Sequence, residues 1–207
     1  MRVILLLVLG AVTGLEELGV PQPADRDTAV YRAVLSNTIR LEINRLSAEA
    51  GLRTPAPVIV FNRTVSMCDP QTPRPRSMGC LNENIVQRFE RESRSGRPPL
   101  FAGLLTGDRR HDLARELRTR NARAASFSGV NLDGLIVVEP EALAESIARE
   151  SSRTRGFAAF SVPAFSNDGY ALVYGSVAYG QGKGWLFLLR ERGDEWQVIK
   201  AEMMWIG

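Results

Sequence analysis

Lysine is almost absent from this chain. Of its 26 basic side chains only Lys183 and Lys200 are lysines, and the rest are arginines. Histidine is reduced to His111, and cysteine to Cys68 and Cys80. A single histidine excludes multi-histidine metal centres, and two cysteines without a nearby histidine do not make a zinc site. There is no C-x-x-C pair of the thiol-redox kind. No apolar run reaches the roughly 20 residues that span a bilayer as a helix. Serine-nucleophile patterns are also missing: Ser126-Phe-Ser128-Gly129 is not G-x-S-x-G, and no S-x-x-K occurs. Internal repeats and low-complexity tracts are absent.

What remains is an ordinary globular composition, 44% apolar and 24% charged over 207 residues. That suits one domain with a sizeable core. At the N-terminus Met1-Arg2 precedes an apolar stretch from Val3 to Val12, with small residues at Ala11 and Gly14. One positive charge, a short apolar region and small residues are the layout of a secretory signal. The competing reading is a first strand with a glycine turn at Gly10–Gly14. It lacks the G-x-G-x-x-G pattern opening a helix, and the leucine run is poor in β-branched residues. The expected organisation is a signal peptide over 1–14, a polar lead-in over 15–27 and a single domain over 28–207.

The two cysteines enclose a loop rich in proline and polar residues, Asp69–Gly79. Outside the cytoplasm such a pair oxidises. The reading is a structural Cys68–Cys80 disulfide, with two free thiols as the alternative.

Periodicity divides the mature chain in two. A helix is expected from a cap at Asp27-Thr28 to about Ala50, its apolar positions Val30, Val34, Ile39, Leu41, Ile43 and Leu46 recurring every three to four residues. Val58–Phe61 reads as a buried strand. Leu81 to about Ser93 reads as a helix, and Asp108 as the cap of another reaching Asn121. Leu135–Val138 is a second short strand, and Pro140 opens a helix to Glu150. The last third alternates with period two. Asn167-Asp168-Gly169 signals a hairpin before a strand over Tyr170–Tyr179. Gly180–Gly184 reads as a turn, followed by strands at Trp185–Arg190 and Trp196–Ile206, with Ile199, Met203 and Trp205 spaced for one face. The expected fold class is α+β: helices on one face of an antiparallel C-terminal meander, with two short additional strands.

The meander carries a resemblance. Phe160-Ser-Val-Pro-Ala-Phe-Ser-Asn-Asp-Gly-Tyr-Ala-Leu-Val-Tyr174, then Gly180–Gly184, Leu188-Leu189 and Met204-Trp205-Ile206, resembles a loose family of uncharacterised exported bacterial proteins. Those proteins have a Ser-Arg-x-Gly-Phe-Asn stretch, a turn, Ala-Leu-Val-Tyr, a Gly-rich turn, a Leu-Leu strand and a final Trp-containing strand. Val162 stands where the family has an arginine, and Ser176 and Tyr179 lie where some members carry cysteines. The resemblance implies export and a shared fold, and no activity.

Candidate chemistry is sparse. His111 lies in a charged helix face and reads as a solvated residue. Glu141 and Glu145 are helix-surface acids at i,i+4 spacing. Gly180-Gln-Gly-Lys-Gly184 has the glycines of a phosphate loop but strands on both sides and no Ser or Thr after the lysine. The feature of interest is the middle segment: residues 71–123 carry twelve arginines against six acids, a local charge of +6 in a chain of net +3. Genomic base composition is the bland cause of so much arginine. Selection for bidentate anion contacts is the other. Arg109, Arg110, Arg115, Arg118, Arg120 and Arg123 are the candidate surface for an anionic envelope component or an acidic protein. Glu83, Glu90, Glu92, Asp108, Asp112 and Glu116 are placed to neutralise much of it. Nucleic acid is not expected, because stacking aromatics are lacking there. No cofactor, metal or transmembrane anchor is expected in the mature form.

The sequence therefore points to an exported, periplasmic or extracellular protein, leaning towards a non-catalytic binding module. The runner-up is a hydrolase acting on cell-wall or extracellular material through a carboxylate pair. A third reading has the sheet edge pairing with itself or with another chain.

Overall fold

A computed structural model describes residues 23–41, 44, 45, 58–68, 80–91, 98–127, 130, 135–138, 157–179 and 181–206. The expected signal segment, most of the lead-in, the interior of the cysteine loop and the helix expected at Pro140–Glu150 lie outside them. Helix α1 spans Pro23–Val34 and continues through a π-helical turn, Leu35–Ile39. Strand β1 is Val58–Phe61, followed by α2 (Glu83–Glu90), α3 (Gly107–Arg120) and β2 (Leu135–Val138). Then come β3 (Phe157–Phe160), β4 (Ala164–Phe165), β5 (Tyr170–Tyr179), β6 (Gln181–Arg192) and β7 (Glu195–Ile206).

One mixed sheet runs in the order β2-β1-β3-β5-β6-β7, with β4 pairing β5. β1 lies parallel to β2 and β3, and every later pairing is antiparallel. The fold is α+β with a C-terminal meander, as the sequence suggests. The two short strands found by pattern are β1 and β2, and β3 joins them to the meander.

Helices cover both faces of the sheet, not one. Successive residues of a strand point to opposite faces. On one face Ala171, Val173, Phe187, Leu189 and Val60 pack with Val30, Tyr31 and Val34 of α1. On the other Leu172, Tyr174, Leu186, Leu188 and Phe61 pack with Val86 and Phe89 of α2 and Leu113 and Leu117 of α3. Both residue sets of β5 and β6 are apolar, as strands buried on two sides require. The sequence pattern for one-sided coverage would have been apolar–polar alternation.

Local boundaries shift for identifiable reasons. α1 begins at Pro23, four residues before the expected cap, since proline suits a first turn. Asp27 is thereby a helical residue and its carboxylate is used elsewhere. Thr106, not Asp108, caps α3, accepting from the Arg109 N–H at 3.4 Å. Asp108 sits in the first turn, where a negative charge meets the positive end of the helix. Asn82 caps α2 by accepting from the Asn84 N–H at 2.8 Å.

Of the expected turn Gly180–Gly184, the part from Gln181 onward is strand, and Gly180 lies outside the described residues. β5 and β6 stay paired as far as Tyr179 and Gln181, so Gly182 and Gly184 lie opposite Ala178 and Ser176. The indole of Trp205 lies on this bare backbone: a Cβ on Gly184 would fall 2.0 Å from its Nε1. The indole N–H donates to the Tyr174 hydroxyl at 3.0 Å. Burial pushes that phenol up to about 12. Gly184→Ala is expected to evict the indole and to destabilise by about 1–3 kcal/mol, the usual cost of overpacking. A red-shifted tryptophan emission with a lowered melting midpoint checks this. The register of β7 slips twice against β6, at Gly184/Trp185 and Leu188/Leu189. Ile199 and Trp205 therefore pack on the α2–α3 side, while Met203 is exposed and does not share their face.

Candidate functional site

The outer face of α3, the β4–β5 turn and the start of α1 enclose a polar groove. The turn forms because Ser166 folds back on Tyr170. Its N–H donates to the Tyr170 carbonyl at 2.9 Å, and its Oγ accepts from the Tyr170 N–H at 3.0 Å. Gly169 takes a φ of +81°, the left-handed conformation that suits glycine. The hairpin expected at Asn167-Asp168-Gly169 is thus present, and it holds Asn167 and Asp168 in the open against α3.

One half of the groove, about 380 Å³, is bounded by Asp108, Arg109, Asp112 and Arg115 of α3 and by Asn167 and Asp168 of the turn. The other half, about 370 Å³, is bounded by Arg26, Asp27, Arg120 and Phe165. Glu116, Phe165, Ser166 and Asn167 border both halves. Carboxylates and guanidiniums alternate along the whole length.

Most of these charges are already held. Arg120 forms a two-point pair with Asp27, Nη1 to Oδ1 at 3.1 Å and Nη2 to Oδ2 at 3.0 Å, and also donates to the Pro163 carbonyl at 2.6 Å. Burial raises the Asp27 carboxyl above its ordinary range even though Arg120 and Arg26 pull it down. Asp168 is paired with Arg109 and accepts from Ser166 at 2.7 Å. Burial opposes ionisation there, but these partners hold Asp168 below the usual carboxylate range. Arg26 and Arg120 both lie over the Phe165 ring, at 4.4 and 5.3 Å from its centroid. Arg109 and Arg190 both lie over Tyr170, at 4.7 and 4.2 Å. Guanidiniums stacked on rings and tied to carboxylates have lost their rotamer freedom before any ligand arrives.

The six arginines singled out in the sequence are divided around α3. Arg109, Arg115 and Arg120 border the groove. Arg110 is buried, 2% exposed, and donates to the carbonyls of Leu100 and, at 3.3 Å, Phe89. It thereby fixes the loop in which Phe101 has a φ of 56°. Arg118 bonds Glu83 at 2.8 Å and Glu90 at 2.7 Å, joining α3 to α2. Arg123 is exposed beyond the end of the helix. Arg115 pairs with Asp112 at 2.6 Å. Arg74, Arg76, Arg94 and Arg97 lie outside the described residues.

Hydrogen bonds from Arg118, reinforced by His111 at 2.6 Å, hold Glu90 below its ordinary pKa of 4.5. A lowered carboxylate stabilises fully above its unfolded value and progressively less as pH falls through the folded one. Glu90→Gln is expected to flatten the fall in stability below pH 4.5, as read by denaturant midpoints across an acid series. An unchanged acid limb would remove Glu90 from that role.

Asp27, Phe165, Ser166 and Asn167 were not legible as groove residues, because Asp27 and Arg120 stand 93 residues apart. Cys68 and Cys80 form a disulfide with Cα atoms 4.9 Å apart. Among the described residues no cluster of three or more potential metal ligands occurs, and no helix is long and apolar enough to cross a membrane. No family model, curated protein or solved structure matches the chain.

Proposed function

We propose that the chain is exported through its N-terminal apolar segment and acts outside the cytoplasm as a non-catalytic binding module. Its ligand lies in the groove between α3 and the β4–β5 turn. The observation that carries this reading is the row of guanidiniums along one concave surface: Arg109 and Arg120, each stacked on a ring and tied to a carboxylate, the exposed Arg115 between them, and Arg26 at the end. Each guanidinium has five N–H donors. The internal pairs use only some of them, and the rest are available to a ligand at little entropic cost. Five carboxylates, Asp27, Asp108, Asp112, Glu116 and Asp168, stand among these four arginines and keep the groove near neutrality. Long-range attraction of a polyanion is therefore weak, and recognition is short-range. The ligand class that fits is an envelope polymer or protein segment carrying carboxylates beside hydroxyl, amide or amine groups. Export is supported by the signal-like N-terminus and by the disulfide of a chain that has only two cysteines.

A raised Asp27 and a lowered Asp168 in one groove are the observation that favours hydrolysis, because acid–base pairs are separated in this way. Against it, each carboxylate is held by an arginine, which leaves neither to move a proton at a substrate.

Co-sedimentation with purified, insoluble cell-wall sacculi tests the binding reading. Arg115 and Asn167 are exposed, so Arg115→Glu and Asn167→Trp leave the fold intact. Each is expected to weaken retention by about tenfold, the worth of one charge-assisted hydrogen bond or one blocked subsite. Equal retention of wild type and both variants would discard the groove.

A further inference from the structure

We propose that β7 is a self-association edge, along which two copies of the chain pair antiparallel about Ala201 and join their sheets into one. β7 is twelve residues long and lies at the end of the sheet. Among the described residues it is hydrogen-bonded to β6 on one side, and no strand pairs with the other. A long open edge offers a row of backbone donors and acceptors to another chain. The edge also exposes Met203 and Ile206, 42% and 56% accessible.

Charge selects the partner. Between its two register slips β7 is regular, and Lys200, Ala201, Glu202 and Met203 sit opposite Leu188, Phe187, Leu186 and Trp185. Lys200 and Glu202 are two residues apart and so share a face, with Nζ and Oε1 at 3.8 Å. Their side chains are 52% and 34% exposed. An antiparallel pairing centred on Ala201 sets Lys200 of each copy against Glu202 of the other. Two opposite-charge pairs result, both on the α2–α3 face of the joined sheet. A one-residue change of centre sets Lys200 against Lys200, or Glu202 against Glu202, which is unfavourable. The stretch is self-complementary in one register alone, as a two-fold symmetric interface requires. Any other occupant would have to present the same Lys-x-Glu spacing in reverse.

Sedimentation equilibrium of the purified mature protein from micromolar to sub-millimolar concentration tests this. The expected result is a reversible monomer–dimer equilibrium. Lys200→Glu, and separately Glu202→Lys, is expected to raise the dimer dissociation constant by about tenfold or more at low salt, since each turns two attractive cross-strand pairs repulsive. The double exchange Lys200→Glu with Glu202→Lys is expected to restore the dimer, because the pairs are then re-formed with their signs exchanged. Ala201→Cys is expected to give a covalent dimer under oxidising conditions, as residues at the symmetry axis face each other within disulfide reach. A monomer throughout the range overturns the proposal. So does a dimer indifferent to the single exchanges or not restored by the double one.

Discussion

Replacing Asn121 by alanine is expected to lower stability by about 2–4 kcal/mol, near the top of what a single substitution does. Asn121 ends α3 and is fully buried. Its amide NH₂ donates to the carbonyls of Leu117 at 2.8 Å and Val162 at 2.9 Å, and its Oδ1 accepts from the Val162 N–H at 2.7 Å. The backbone carbonyl of Asn121 accepts from Met67 at 2.7 Å. One side chain thus closes the helix and fastens the β3–β4 connection, behind which the groove is built. Alanine would leave both backbone groups of Val162 in the interior without that partner, and unpaired buried groups cost far more than a surface hydrogen bond contributes. Aspartate is nearly the same size yet should be as damaging, because a carboxylate would face two carbonyls it cannot satisfy. Urea midpoints for Asn121→Ala and Asn121→Asp check both, and an effect below about 1 kcal/mol would remove Asn121 from this role.

The second large effect belongs to the disulfide. Changing both Cys68 and Cys80 to serine is expected to cost about 3 kcal/mol, as the chain-entropy account gives for a loop of this length. For a domain of this size that is a fall in melting midpoint of roughly 6–12 °C. The loss should be uneven. Cys68 and Cys80 flank the bridge between Met67 and Leu81, where the Cys68 N–H donates to Leu81 at 3.0 Å and the Leu81 N–H to Ser66 at 2.9 Å. Leu81 is fully buried and delivers the chain to α2. Amide exchange should therefore rise first in α2 and least in β5 and β6. Reductant added to the wild type should reproduce the variant. Equal midpoints with and without the bridge would mean that the loop is held by other contacts.

The sequence made the meander legible because its strands are long, rich in β-branched and aromatic residues, and bounded by Asn167-Asp168-Gly169 and Arg192-Gly193-Asp194. Burial on two sides was also written there, in the apolar character of both residue sets of β5, but it reads as two-sided only once helices are known to lie on each face. Caps misled at Asp27 and Asp108, since Asp, Thr and Ser compete for the same position and tertiary partners decide among them. Gly182 and Gly184 read as a turn because glycine usually breaks strands; the reason for them is the indole of Trp205, distant in sequence from both. The arginines gave the charge of the middle segment but not its use. Arg110 and Arg118 bind α2 and its following loop, and only distances across the fold separate them from Arg109, Arg115 and Arg120.

Export with a closed disulfide is the claim on which the proposed function stands. The intact mass of the protein recovered from the extracytoplasmic fraction, with and without reductant, tests it most directly. The expected mass begins just beyond the apolar N-terminal run, near Leu15, and is two hydrogens lighter before reduction than after. A full-length chain in the cytoplasmic fraction with two free thiols would contradict it.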